Sequence, residues 1–249
     1  MLVLLLCVPL ACAQLSFTTI DVPGAGVTDV YGINSAGDMV GYYGVNPNTS
    51  KHAFLLHDGV FTFFDYPGAS STVATGVNDL GRIVGYATKG DAVAISFLYD
   101  GTTFSPIRAP GMSATVALGM DNAGDIVGGD GTLGTTRGFE LRGRRFKDVS
   151  PPGVFVYVYA TGINKFGEVV GWTDYDGFAY KNGKYRTIAF PGAFQTEAWD
   201  INDSGVIVGW YTLNGSAFGF ALANGHYVSF AYPGALYTIP RGINADGRV

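Results

Sequence analysis

Six copies of one short pattern, recurring every 39 to 44 residues, constrain this chain more than any other feature. In each copy an aromatic residue is followed three places on by an apolar one, and three places further by Pro-Gly. The copies are Phe17-Ile20-Pro23-Gly24, Phe61-Phe64-Pro67-Gly68, Phe104-Ile107-Pro110-Gly111, Phe146-Val149-Pro152-Gly153, Tyr185-Ile188-Pro191-Gly192 and Tyr227-Phe230-Pro233-Gly234. Self-similarity at this period implies an array of supersecondary units, each burying its faces only against its neighbours.

One unit reads as four strands. Residues 72–78 are β-rich, Asp79-Leu80-Gly81 turns the chain, and Arg82 to Ala87 return. After a polar loop at 88–94, Ile95 to Tyr99 form a third strand. Asp100-Gly101 is a hairpin signal, and Thr103 to Ile107 form a fourth. Four strands in about 42 residues is the size of a β-propeller blade. The sequence thus predicts an all-β propeller of four-stranded blades, with five complete repeats, a partial sixth and an incomplete ring. Its units span about 27–66, 71–109, 114–150, 157–190, 196–232 and, in part, 237–249, preceded by a lone strand at 16–21.

Two hairpin signatures recur. Asn34-x-x-Gly37, Asn78-x-x-Gly81, Asp121-x-x-Gly124, Asn164-x-x-Gly167, Asn202-x-x-Gly205 and Asn244-x-x-Gly247 mark the first hairpin. Asp58-Gly59, Asp100-Gly101, Arg142-Gly143, Asn182-Gly183 and Asn224-Gly225 mark the last. An Asn or Asp side chain accepts from backbone two residues on, and Gly tolerates positive φ. Small residues (Ala74, Ala117, Ala160, Ala198) at the centre of strand one, and aromatics on strand four, place strand one inside the ring and strand four outside. The Pro-Gly handovers and the strand-two to strand-three loops then share one face. Residues 237–249 break off inside strand two, so strand 16–21 is expected to lack a partner. The chain is expected to be a fragment of a longer product with at least six blades.

Residues 1–13 are uncharged and apolar, too short to cross a bilayer, and resemble the core of a secretory signal; Ala11-Cys12-Ala13 fits a small-x-small cleavage site. Export would remove both cysteines, Cys7 and Cys12, and leave no disulfide or thiolate metal site. With 47% hydrophobic and 14% aromatic residues the rest has material for a large core. No other run has the length of a membrane helix. A net charge of −5 gives no basic footprint for nucleic acid.

The chain resembles the bacterial extracellular HAF-repeat family. The resemblance is carried by Gly-Ile-Asn-x-x-Gly-x-Val-Val-Gly from Gly162 to Gly171, by His52-Ala53-Phe54, and by the third-strand counterparts Ile95-Ser96-Phe97, Arg137-Gly138-Phe139, Asp176-Gly177-Phe178 and Phe218-Gly219-Phe220. It implies an exported, repetitive, propeller-like protein, secreted or at the bacterial cell surface. It brings no functional residues with it, and only the first copy keeps the His.

No catalytic or cofactor signature is present: there is no Gly-x-Ser-x-Gly, phosphate-cradling loop or dinucleotide fingerprint. His52, His57 and His226 lack partners at metal-ligand spacing. The best surface is the loop face near the axis, where second strands end in Tyr43, Tyr86, Trp172, Trp210 and Tyr211 before polar loops. Such rings either fill gaps between blades or stack on sugars. The function this supports is a non-enzymatic binding or adhesion scaffold for a carbohydrate or cell-surface protein. The alternative is a propeller-type glycoside hydrolase or lyase with acids near the central channel.

Overall fold

The computed structural model describes residues 2–4, 15–90, 95–131, 137–153 and 157–249. Cys7, Cys12, most of the signal-like segment and residues 91–94 of one polar loop lie outside these. Among the described residues there are 22 strands and no helix.

Twenty strands form five antiparallel sheets of four, each built from consecutive strands. The first comprises β3 (Val27–Ile33), β4 (Met39–Gly44), β5 (His52–His57) and β6 (Val60–Phe64), and the second β7 (Ser71–Val77), β8 (Ile83–Thr88), β9 (Ile95–Tyr99) and β10 (Phe104–Ile107). The third holds β11 (Thr115–Met120), β12 (Ile126–Asp130), β13 (Gly138–Arg142) and β14 (Arg145–Asp148). The fourth holds β15 (Tyr159–Ile163), β16 (Val169–Trp172), β17 (Gly177–Lys181) and β18 (Lys184–Ile188). The fifth holds β19 (Gln195–Ile201), β20 (Ile207–Leu213), β21 (Ser216–Ala223) and β22 (His226–Phe230). The fold is a β-propeller, and the first strands β3, β7, β11, β15 and β19 pack against one another as its inner strands.

A belt of side chains ties the inner strands together. The Asn34 amide donates to the carbonyl of Asn78, and Asn78 to that of Asp121. Asn164 donates to Asn202, Asn202 to Asn244, and Asn244 back to Asn34. Each Asn also accepts, through Oδ1, from its own hairpin; Asn78 takes the N–H groups of Leu80 and Arg82. The same residue therefore closes a turn and joins two units. Residues 237–249 hold the sixth position of this belt. They pair with β21 at an isolated parallel bridge between Tyr237 and Ala217, and Ile243 packs in a core cluster with Ala221 and Phe230.

The Pro-Gly handovers are tight turns: Ala69 N–H donates to Tyr66 C=O, and Gly68 has φ +69°. A threonine that the sequence reading passed over anchors them, since Thr28, Thr72, Thr115, Thr196 and Thr238 each accept from the backbone N–H six residues before.

Between sheets the core is made by the third-strand phenylalanines Phe54, Phe97, Phe139, Phe178 and Phe220, none more than 3% exposed. Each lies beside a second-strand glycine. A Cβ on Gly85, Gly128 or Gly171 would stand 2.8 Å from the facing Phe ring, and would collide with the inner-strand carbonyl of Val73, Val116 or Tyr159. The Val-Val-Gly part of the repeat is therefore a packing requirement.

In the full chain the N-terminal strand β2 (Phe17–Thr19) pairs antiparallel with β1 (Leu2–Leu4), which lies within the signal-like segment that export would remove. An open strand edge presents unpaired N–H and C=O groups, and a short β-rich run satisfies them. Phe17 of β2 packs edge-on against Tyr232 at 5.2 Å, beside the sixth position.

Candidate functional site

Each complete inner strand carries a bulge at the same point, one residue after the small central position. The register slips between Val30/Gly32, Ala74/Gly76, Ala117/Gly119, Ala160/Gly162 and Ala198/Asp200. A bulge leaves one residue outside the pairing and re-aims its side chain. The residues so freed are Tyr31, Thr75, Leu118, Thr161 and Trp199; Arg241, before Gly242, takes the corresponding place in the sixth position. Thr75 and Thr161 use their hydroxyls to bridge inner strands, donating to Ala117 C=O and Ala198 C=O. Tyr31, Thr75, Leu118, Thr161 and Arg241 line a central cavity of about 100 Å³ with the Asn belt at its other end.

The larger bulge residues build a continuous file of rings and cations. Lys51 lies 4.5 Å over the Tyr42 ring, and Tyr42 lies 6.1 Å from Tyr31. The Arg241 guanidinium sits between Tyr31 and Trp199, 4.2 Å from one ring and 4.5 Å from the other. Trp199 meets Trp172 at 6.5 Å, and Trp172 meets Tyr159 at 4.7 Å. The file thus crosses the first unit, the sixth position, the fifth unit and the fourth. Tyr31, Tyr159, Trp172, Trp199 and Arg241 are each half-buried, so their faces are held but not sealed. The Trp172 Nε1–H is buried without a hydrogen-bond acceptor.

Two acids stand within this region on β19. Glu197 accepts from the Trp199 indole at 2.9 Å and from Gln195 at 3.0 Å. Burial pushes its carboxyl up to about 7, against the pull of the Trp199 and Trp210 indoles and of Arg241. Asp200 replaces the glycine of the other units and accepts from the backbone N–H groups of Ile201 and Ile243. Enclosure by the ring raises it to about 7 as well, although part of it faces the central cavity. In the first unit Tyr42 donates to Asp29, and burial together with that bond raises the Tyr42 phenol well above its ordinary value. Among the described residues no group of three or more His, Cys, Asp or Glu is assembled that could hold a metal.

The five residues singled out in the sequence divide. Trp172 is in the ring file, and Trp210 reaches it through Glu197. Tyr86 feels Tyr31, Tyr159 and Arg241 electrostatically, and burial pushes its phenol up to about 12. Tyr43 turns the other way, packing on Phe63 at 4.7 Å and on His52 at 5.5 Å. Tyr211 is a core residue, 4% exposed, stacked flat on Phe190 at 3.7 Å with its hydroxyl 2.7 Å from Ser229 Oγ. Sequence reading missed Tyr31, Trp199 and Arg241. The available signal was the residue before each Gly-Ile-Asn-type turn, where Tyr31, Thr161 and Arg241 differ while their neighbours repeat.

Among solved structures the ring is similar to AofleA from Arthrobotrys oligospora, in an arginine-to-alanine triple variant. The TM-score is 0.53 at 12% identity, over 88% of this chain and 77% of that one. It is also similar to Aleuria aurantia lectin bound to Fucα1-6GlcNAc, with a TM-score of 0.48 at 12% identity over 85% and 82%. A further structure of that lectin, described as a six-bladed β-propeller with a novel fucose recognition mode, gives 0.40 at 11% identity over 80% and 75%. At these identities the likeness is one of fold. No protein-family model matches the chain, and no curated protein matches it.

Proposed function

We propose that this protein is a non-enzymatic glycan-binding scaffold that uses the ring file at the axis. The observation that carries the reading is the run Tyr42–Tyr31–Arg241–Trp199–Trp172–Tyr159, whose rings from Tyr31 to Tyr159 are half-buried and which has a buried indole N–H left without an acceptor. Aromatic faces stack on the apolar faces of sugars, and the surrounding N–H and O–H groups meet their hydroxyls. A few convergent polar groups on an aromatic wall are the usual make-up of a small-molecule site. The likeness to fungal lectins is one of fold, so the reading rests on these side chains. Secretion to the bacterial surface and membership of the HAF-repeat family belong to the same proposal, on the strength of residues 1–13 and the repeat motif.

Hydrolysis is the second reading, favoured by the raised carboxyls of Glu197 and Asp200. A hydrolase needs a second free carboxyl group opposite the first. Asp29 is engaged by Tyr42, and Asp200 by two backbone amides. Binding is the better account.

The test is Trp172→Ala and Trp199→Ala against a glycan array, alongside thermal unfolding. The expected result is loss of binding by tenfold or more in variants that still fold cooperatively. Wild-type protein that binds no glycan, or variants that lose stability while keeping affinity, would refute the proposal.

A further inference from the structure

Arg241 is unusual among the cations of this chain. Its guanidinium is clamped between Tyr31 and Trp199, and among the described residues no carboxylate lies within ion-pair distance and no oxygen accepts from it. The nearby acids are committed elsewhere: Asp29 to Tyr42, and Glu197 to Gln195 and Trp199. What sets it apart from the other cations described is that two rings, and not one, cover it. Two ring faces cover a guanidinium from its sides and leave its N–H edge open. That edge presents donors in a planar fork that matches a carboxylate at two points. Of the ring file, Arg241 and Tyr31 alone also line a mostly apolar cavity of about 380 Å³, bounded by Phe17, Phe230, Tyr237 and Pro240. This lies within the size range of small-molecule sites, about 300–1,000 Å³.

We infer that the site is selective for acidic sugars: the open edge of Arg241 receives the carboxylate of a uronic-acid residue while the apolar wall of that cavity meets the sugar. This rests on the glycan-binding reading and names the ligand class within it. A neutral sugar would leave the guanidinium edge without a charged acceptor. A uronate supplies that acceptor in an aromatic surrounding, where a charge-assisted bond is stronger than in open water.

The experiment is titration calorimetry of the full chain with matched trisaccharides, galacturonate against galactose and glucuronate against glucose. Wild-type protein is expected to prefer at least one uronate over its neutral counterpart by tenfold or more, with the preference shrinking as salt is raised. Arg241→Gln, checked for folding by its thermal transition, should bind both members of the pair alike. Arg241→Lys should keep only part of the preference, since the charge remains and the fork is lost. Equal wild-type affinity within both pairs overturns the inference and leaves glycan binding standing. So does a preference that survives Arg241→Gln. Should that variant not fold, a wild-type preference insensitive to salt has the same force. Binding to none of the four, nor to any array glycan, removes both readings.

Discussion

The amide of Asn244 donates to the carbonyl of Asn34, 210 positions earlier in the chain, at 3.2 Å. That bond joins the last inner segment to the first. The two residues also close their own hairpins, Asn244 by accepting from Asp246 and Arg248 and Asn34 by accepting from Asp38.

Removing this side chain tests the belt. Asn244→Ala deletes one bond between units and two within the hairpin, all at a buried residue 3% exposed. At about 1 kcal/mol net for each bond, the loss should be roughly 2–4 kcal/mol. Urea unfolding of the variant should shift its midpoint accordingly, whereas Asn122→Ala, which removes two bonds to Asp79 of the neighbouring unit at an exposed site, should shift it less. An unshifted midpoint in Asn244→Ala would mean that the belt contributes nothing.

Asp121 is the one position of the belt that has no amide. Its Oδ1 closes the hairpin by accepting from Ala123 and Asp125, but it cannot donate toward Asn164 as Asn78 donates toward Asp121. Burial raises its carboxyl above the ordinary aspartate value. A raised acid weakens the fold as pH climbs past the unfolded value, because ionisation is harder in the native state. Asp121→Asn should therefore stabilise by about 1–2 kcal/mol at pH 7 and by less at pH 4. Denaturant midpoints at the two pH values measure this; a variant less stable than wild type at pH 7 would contradict it.

Glu197 gives a second signature in pH. Its carboxyl rises from 4.5 to about 7, so the neutral form is the one the fold prefers. The stabilising effect is complete below pH 4.5, declines as pH rises toward 7, and is gone above it. The shift corresponds to at most about 3 kcal/mol. Glu197→Gln cannot ionise, so the gap between variant and wild type should open in its favour between pH 5 and pH 8. Asp200 shifts in the same direction but is present in both proteins, and the comparison cancels it. Parallel stability curves across that window would exclude the effect.

Much of the fold is legible because its parts repeat for local reasons. Asn78 and Gly81 make one hairpin, Asp58 and Gly59 another, and Pro67-Gly68 a handover; each copy obeys the same backbone demand. Gly85 and Phe97 repeat because one clears room for the other. The candidate site is less legible. Trp199 and Arg241 stand 42 positions apart, and only ring closure brings Arg241 onto Tyr31. Tyr211 looked like its neighbour Trp210, yet alternation along β20 turns it into the core while Trp210 faces Glu197. The pairing of β1 with β2 had no periodic signal at all, since Leu2–Leu4 matches no part of the repeat.

The bulges have a consequence for how such a protein diversifies. The freed side chain at each one takes no part in the alternation that commits its neighbours to a blade interface. Tyr31, Thr75, Leu118, Thr161, Trp199 and Arg241 therefore form a six-letter word spelled around the axis; Thr75 and Thr161 also bridge inner strands, so the other four letters are the ones open to change. A lineage of such rings could acquire new ligands by respelling that word while its turns, glycines and phenylalanines stayed fixed.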